Sequence, residues 1–240
     1  MSGPVLPDIV SEGAITRAAL RTPRAAAVAG IVFGVLLIVA LVLIRLAVPG
    51  TPNEPDPWIS DSLRRNGVVL ALGLVPFAGI AFLWFMGVIR DRIGQAEDRF
   101  FATVFLGSGL LFVGMLFVSA AVAAGALAIV GDTRSDPKLL EVWKLGRQIT
   151  DTVSRVYAMR MAAVFMISTS TVLWRTGSVP RWLAFCGYLL APILLLLVGL
   201  LAWVELLFPA WVLLLSSYVL IEESRRGPVA ASSTLQGTGA

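Results

Sequence analysis

Residues 25–47, AAAVAGIVFGVLLIVALVLIRLA, decide the fold of this chain. The stretch contains one charged residue, Arg45, near its end. A helix needs about 20 apolar residues to cross the hydrocarbon core of a bilayer, so this run predicts a transmembrane helix. It is too long for the apolar core of a signal peptide, and we expect it to remain in the protein as the first span. The polar segment 1–24 before it is predicted to be cytoplasmic.

Similar apolar runs recur along the 240 residues, of which 58% are hydrophobic and only 14% are charged. A typical soluble domain is about 25% charged, so this composition predicts an all-α, polytopic membrane protein. Its spans are predicted at about 25–47, 67–89, 101–130, 156–174, 182–202 and 206–221, which together make a six-helix transmembrane domain over residues 25–222. The small, polar residues 223–240 are predicted to form a disordered cytoplasmic tail.

The number of spans depends on how the nearly uncharged stretch 182–221 is divided. The charge of Glu205 and the ring of Pro209 fall close together, and this predicts a break between a fifth and a sixth span. The alternative is one long tilted helix. That alternative gives five spans and places the termini on opposite sides of the membrane.

Residues 131–155 form a polar stretch between the third and fourth spans. Apolar residues recur there mainly at three- and four-residue spacing, and Arg147–Asp151 and Asp151–Arg155 are charge pairs four residues apart. The pattern predicts an amphipathic helix that lies at the bilayer surface. We expect a bend near Gly146, where the chain turns into the fourth span.

Cations are divided unevenly between the two sides that six spans define. Ten lie on the side of the termini and seven on the other side, most of these in one loop. Because loops rich in Arg and Lys stay in the cytoplasm, both termini are predicted to be cytoplasmic and the protein is expected in a plasma (inner) membrane. The abundance of Arg, Ala, Val and Gly indicates a high-GC bacterium.

The composition narrows the chemistry that the chain can perform. It has no histidine and one cysteine, Cys186. Histidine-based nucleophile systems, histidine-ligated zinc and bis-histidine haem are therefore excluded, as is an intrachain disulfide. No cofactor, metal or nucleic-acid partner is expected. The expected partners are the lipid bilayer and either a second copy or another membrane protein.

Two charged residues stand out inside the predicted spans. Arg160 lies in the outer half of the fourth span and Glu205 at the outer end of the fifth, so the two are able to pair. Charged residues in membranes normally face the bundle interior or water, which makes them candidates for a ligand or ion site. A structural pair, or snorkelling of Arg160 to the interface, is the alternative. Four consecutive hydroxyl residues add a candidate polar path, although they often bond back to their own helix: Ser168, Thr169, Ser170 and Thr171.

Gly30 and Gly34 form a Gly-x-x-x-Gly pattern in the first span. Such small residues allow close approach of two helices, so we expect both glycines at a packing interface. Pro76 and Pro192 lie at similar depths in the second and fifth spans. Interrupted helices in equivalent members of two inverted repeats are typical of transporters, and this spacing is a minor indication of that kind.

The segment Gly87-Val-Ile-Arg-Asp91-Arg92-Ile-Gly94 resembles the start of the loop motif of the major facilitator superfamily. It lies between the second and third spans on the cytoplasmic side, as in that family, but Gln95 and Ala96 replace the closing basic pair and six spans are half of the usual twelve. The resemblance implies a gating loop at Asp91 and Arg92, whereas an ordinary positive-inside loop is the alternative. Residues 82–127 also resemble multi-pass proteins of high-GC bacteria, a likeness that implies no function.

These features favour a non-enzymatic membrane protein that acts as an accessory or scaffold subunit. Carboxylates are nearly absent from the spans, so paired acid-base chemistry lacks its parts. The alternative is a small transporter or channel with a polar site around Arg160, Glu205 and residues 168–171.

Overall fold

The computed structural model describes residues 23–48, 62–93, 99–132, 137–177, 179–198, 200–201 and 203–235. Within these ranges the chain is 95% helical and forms no strand. Besides the α-helices given next, the chain contains a π-helix, Thr152–Ala158, between α4 and α5 and a 3-10 turn, Val204–Leu206, before α7. The helices are α1 Pro23–Ala47, α2 Ser62–Ile93, α3 Arg99–Asp132, α4 Pro137–Asp151, α5 Met159–Thr176, α6 Arg181–Leu197 and α7 Leu207–Leu235.

Five helical stretches in the described chain are long and apolar enough to cross a membrane. They lie in α1, α2, α3, the continuous helix through α4 and α5, and α7. Helix α6 is also apolar but has only 17 residues, about 26 Å at 1.5 Å per residue. This is shorter than the ~30 Å hydrocarbon core. The chain is therefore an all-α membrane bundle with five long apolar helices and a shorter sixth one.

The stretch 182–221 forms two helices, so the alternative of one long helix is wrong. Helix α6 ends at Leu197, before the predicted limit at 202, and Trp203 takes a left-handed backbone conformation with φ of 73°. That conformation reverses the chain before the 3-10 turn that contains Glu205. Pro209 lies in the first turn of α7, where its missing N–H leaves no helical hydrogen bond unmade.

The last helix is longer than the sequence suggests. Helix α7 continues to Leu235, well into the segment 223–240 that was predicted to be disordered. Alanine and leucine, which favour helix, recur after residue 228. Residues 236–240 and most of the predicted N-terminal segment 1–24 lie outside the described residues.

Five phenylalanine rings from five helices form the centre of the core. The Phe33 and Phe82 ring centroids are 4.8 Å apart, those of Phe82 and Phe165 are 4.9 Å apart, and those of Phe112 and Phe208 are 5.0 Å apart. All five side chains are fully buried. This aromatic cluster joins α1, α2, α3, α5 and α7, and it fills the bundle at one level along its axis.

The two ends of the bundle differ. A guanidinium N–H of Arg24, at the start of α1, donates to the carbonyl oxygen of Glu223 in α7 at 3.5 Å. The start of α1 therefore lies beside Glu223 of α7, at what we call the terminal end. The opposite end, which we call the charged end, contains the last turn of α1, the π-helix and the 3-10 turn.

Helix α4, which is predicted to lie at the bilayer surface, packs with one face against α3. Ser119 Oγ donates to the carbonyl oxygen of Thr150 at 3.2 Å. A Cβ built on Gly146 would lie 2.7 Å from that of Ala126, so this glycine allows the two helices to approach closely. Trp143 is buried against Ala126 and its neighbours, whereas Val142, Leu145 and Ile149 of α4 are exposed. The irregularity in this long helix is the π-helix, which follows Gly146.

Candidate functional site

A buried carboxylate organises the charged end of the bundle. Glu205 Oε1 lies 3.0 Å from Nη2 of Arg45, and its Oε2 lies 3.6 Å from Nε of Arg155. The Glu205 side chain is 7% exposed, whereas those of Arg45 and Arg155 are 21% and 35% exposed. We call Arg45, Arg155 and Glu205 the charged triad. Three separate elements supply it: the last turn of α1, the π-helix and the 3-10 turn.

Neighbouring groups hold the two arginines in place. Arg155 Nε also lies 3.6 Å from Oδ1 of Asp151, one turn earlier in the same helix. The Arg45 guanidinium carbon lies 5.8 Å from the ring centre of Trp203, a distance at which a cation is attracted to an aromatic face. Nε of Arg45 is buried and finds no acceptor in the described part of the chain. The triad is thus fixed, and one of its donors remains unused.

The π-helix sets the direction of Arg155. A π-helix closes i to i+5 hydrogen bonds, is rare, and occurs frequently at functional sites. Ser154 Oγ within it donates to the carbonyl oxygen of Thr150 at 2.7 Å, which satisfies an acceptor in the altered ladder. Because both Ser154 and Arg155 line the adjacent cavity, the change of helical pitch lies directly in its wall.

A cavity of about 200 Å³ opens beside the charged triad. Its walls combine apolar side chains from α1, α2 and α3, such as Leu37, Val75 and Leu116, with a polar side formed mostly by α4 and the π-helix. The charged lining residues are Arg45, Arg147, Arg155, Asp151 and Glu205. Three cations and two carboxylates give the lining a net charge of +1. The lining therefore combines an apolar part with charged groups of both signs.

A second space, a groove of about 710 Å³ between α2 and α3, adjoins this cavity. We call it the α2–α3 groove. Small residues form much of it, including Gly73, Ala121 and Ala124. Leu72, Ala120 and Leu127 line both spaces, so only a shared wall separates the charged cavity from the groove.

Arg160 does not join Glu205 in the structure. Its Nε donates to the carbonyl oxygen of Leu195 in α6 at 3.4 Å, and the residue is exposed. In the described chain, Glu205 pairs with Arg45 and Arg155 instead. Arg155 lies in the π-helix and Arg160 in α5, and the two side chains have different partners. The candidate pair is therefore replaced by the charged triad.

The four hydroxyl residues of α5 form no shared polar path. Ser168, Thr169 and Thr171 each donate to the carbonyl oxygen four residues earlier, at 2.9, 2.8 and 2.9 Å. Thr171 Oγ1 also accepts a hydrogen bond from the Tyr188 hydroxyl at 2.6 Å, which ties α5 to α6. Ser170 is fully buried, and its oxygen points at the position where a Cβ on Gly187 would lie. None of the four residues is part of the cavity lining.

Gly30 and Gly34 lie at the contact between α1 and α7. A Cβ on Gly30 would collide with Ser216 Oγ and lie 2.7 Å from Phe85, and one on Gly34 would collide with Leu213 and lie 3.0 Å from the carbonyl oxygen of Pro209. Of the loop motif, Gly87 lies in α2 with open space beside its Cα. Asp91 and Arg92 belong to the end of α2, and Gly94 lies outside the described residues.

Comparison with protein-family models, with curated proteins and with solved structures finds no match to this chain. Geometry alone therefore defines the site. Sequence reasoning missed Arg45 and Arg155 as site residues. Arg45 did carry a signal, because it is the one charge in an otherwise apolar run. Arg155 was recognised only as a partner of Asp151 on the same helix.

Proposed function

We propose that this protein is a non-enzymatic, multi-pass accessory protein of a bacterial plasma membrane that binds an anionic ligand at the charged end. The observation that carries the proposal is the charged triad at the edge of a cavity with largely apolar walls. Charged residues within membrane-spanning segments are costly and usually mark a ligand or ion pathway. Mostly apolar cavities with a few converging polar groups are typical of small-molecule sites.

The proposed topology has six crossings with both termini in the cytoplasm. Helices α6 and α7 form the last hairpin, and their tip carries the exposed side chains of Leu200, Leu201 and Trp203. An apolar tip is favourable in lipid and unfavourable in water. The short α6 therefore fits a crossing whose outer turn lies within the outer leaflet. The charged end then faces the outside.

A thermal-shift series tests the proposed binding. The purified protein in zwitterionic micelles is titrated with decyl phosphate, decanoate, glycerol phosphate and, as a cationic control, decyltrimethylammonium. A ligand that binds only the folded state raises Tm with its concentration. We expect Tm to rise for at least one anionic probe, and the rise to disappear in R45Q. If no anion raises Tm above the cationic control, the proposed function is wrong.

A role as a scaffold subunit remains a second candidate because of the α2–α3 groove. Its alanines and glycine leave room for the close approach of another transmembrane helix. Purification in a mild detergent followed by mass spectrometry tests this role. The scaffold role is supported if the chain retains a stoichiometric partner or a second copy of itself, and if A124L loses that partner. A monomeric chain without a partner counts against it.

Transport is a third candidate, and the aromatic cluster weighs against it. The cavity lies on one side of this layer of fully buried rings, so transport requires that the layer open. A polar path along α5 lacks support, because three of its four hydroxyl groups bond to their own helix. Uptake of a labelled anion into vesicles that contain the protein, abolished by R45Q, would favour transport.

A further inference from the structure

We infer that Trp203 is a positioning residue of the charged triad, whose indole ring holds the Arg45 guanidinium against Glu205. This inference rests on the proposed function and deepens it, because Arg45 is the arginine that the proposed anion site depends on. Three observations carry it: the backbone conformation of Trp203, the place of its ring, and a nitrogen of Arg45 that no hydrogen bond holds.

The backbone of Trp203 has a conformation that favours glycine. Its φ is 73°, and it is the one non-glycine residue with a positive φ among those that the structure describes. A side chain is strained in this conformation because its Cβ crowds the following carbonyl oxygen, whereas glycine adopts it freely. Glycine would therefore suffice for a turn that only reverses the chain. A bulky residue that keeps this strain points to a role for its side chain.

The ring of Trp203 reaches an arginine on another helix. The Arg45 guanidinium carbon lies 5.8 Å from the ring centre, within the distance at which an aromatic face attracts a cation. Glu205, two residues after Trp203, lies 3.0 Å from Nη2 of the same arginine. The N–H of Leu206 donates to the carbonyl oxygen of Trp203 at 3.0 Å and closes the turn between these positions. One turn of chain thus brings both a ring and a carboxylate to Arg45.

The Arg45 side chain needs a contact besides the carboxylate to fix its direction. Its Nη2 pairs with Glu205, but its Nε is buried and finds no acceptor in the ranges that the structure describes. No hydrogen bond from Nε therefore stops the guanidinium from turning about its contact with Glu205. A ring against the guanidinium limits that rotation. Fixing the guanidinium also fixes the position of Nε, the donor that a bound anion is able to use.

A double-mutant cycle between Arg45 and Glu205, repeated with different residues at position 203, tests this inference without a ligand. W203F keeps an aromatic face, W203L keeps the strained conformation without a face, and W203G removes both the face and the strain. Trp84 provides the control W84L, because it is an exposed tryptophan of α2, which contributes no residue to the charged triad. Circular dichroism shows whether each variant remains helical.

The coupling is measured as a factor in the unfolding equilibrium constant in SDS mixed micelles. We expect W203L and W203G to lower this factor about two- to fivefold, the size of a partly exposed cation–aromatic contact, and W203F and W84L to leave it unchanged. A loss of stability alone would not change the coupling. In the thermal-shift series, the apparent affinity for decyl phosphate should fall in W203L and W203G by a similar factor.

The other outcomes separate this inference from the proposed function. An exposed tryptophan is also suited to anchor a helix end at the membrane interface, and that role predicts equal coupling in wild type and W203L. Equal coupling therefore overturns the inference, as does full coupling in W203G, which would show that only the turn matters. If coupling falls in W203L but no anion raises the Tm of the wild type, Trp203 positions Arg45 and the proposed function is wrong.

Discussion

Replacing Glu205 by glutamine removes the carboxylate that Arg45 and Arg155 share. The Arg45 contact is short, at 3.0 Å, and the carboxylate is 7% exposed. Removing one partner of a buried ion pair costs about 3 to 5 kcal/mol, because the other charge stays in a poorly solvating site. Because Arg45 is one-fifth exposed, we expect E205Q to lower the free energy of unfolding by about 3 kcal/mol, at the low end of this range.

Double-mutant cycles separate the two arginines. The Arg45–Glu205 contact has the geometry of a charged hydrogen bond, so R45Q and E205Q should show a coupling free energy of about 2 kcal/mol. The Arg155–Glu205 distance is 3.6 Å and Arg155 is 35% exposed, so its coupling should be below about 1 kcal/mol. The predicted order, with Arg45 above Arg155, follows from distance and burial alone.

Equilibrium unfolding in mixed micelles with increasing SDS, followed by circular dichroism, measures these free energies. Arg160 provides the matched control, because its Nε donates to the carbonyl oxygen of Leu195 and not to Glu205. The effects of R160Q and E205Q should add within about 0.5 kcal/mol. A coupling near zero for Arg45, or a larger coupling for Arg160 than for Arg45, would refute the assignment of the charged triad.

Three further predictions concern the bundle itself. G34A should destabilise by about 1 to 3 kcal/mol, because its methyl group meets Leu213 and a carbonyl oxygen, whereas G114A, with open space, should be neutral or stabilising in the same SDS titration. F82A should lower the free energy of unfolding by about 3 to 5 kcal/mol, because it leaves a cavity in the aromatic cluster. F77A, on the exposed side of the same helix, should lower it by less than about 1 kcal/mol. The third prediction concerns topology and uses a chain in which Cys186 is replaced by serine. Cysteines introduced at Ser2 and Ser232 should react with an impermeant maleimide only from the cytoplasmic side, and one at Thr51 only from the outside. Labelling of the two terminal positions from opposite sides would exclude six crossings.

Much of the bundle could be predicted from the sequence because lipid imposes a simple rule. Each spanning segment must be apolar and long, and α1, α2 and α3 satisfy that rule within a few residues of the predicted limits. The stretch 182–221 was harder. Its composition is uniform, and the turn depends on the left-handed backbone conformation of Trp203. Tryptophan has no preference for that conformation, so the sequence does not predict it.

Helix α4 shows a second limit of sequence reasoning. Its amphipathic pattern predicts one apolar face but does not say whether lipid or protein covers that face. In the structure Trp143 and Gly146 pack against α3, whereas Val142, Leu145 and Ile149 are exposed. Which residues of α4 meet the preceding helix is a tertiary effect that periodicity within α4 does not contain.

The site was predictable only in part. Glu205 was recognised because a charge in an apolar run is conspicuous, but its partners lie far away in sequence, at Arg45 and Arg155. The sequence predicts Arg160 as the partner, because its depth in the fourth span matches that of Glu205. Depth does not fix the direction of a side chain around its helix, and the π-helix shifts that direction for Arg155 relative to a regular α-helix.

A crystal structure of the protein grown with decyl phosphate tests the proposed anion site most directly. We expect the phosphate within hydrogen-bond distance of Arg45 or Arg155, at the charged triad. A cavity that holds only water, or a probe bound elsewhere, would contradict the proposed function.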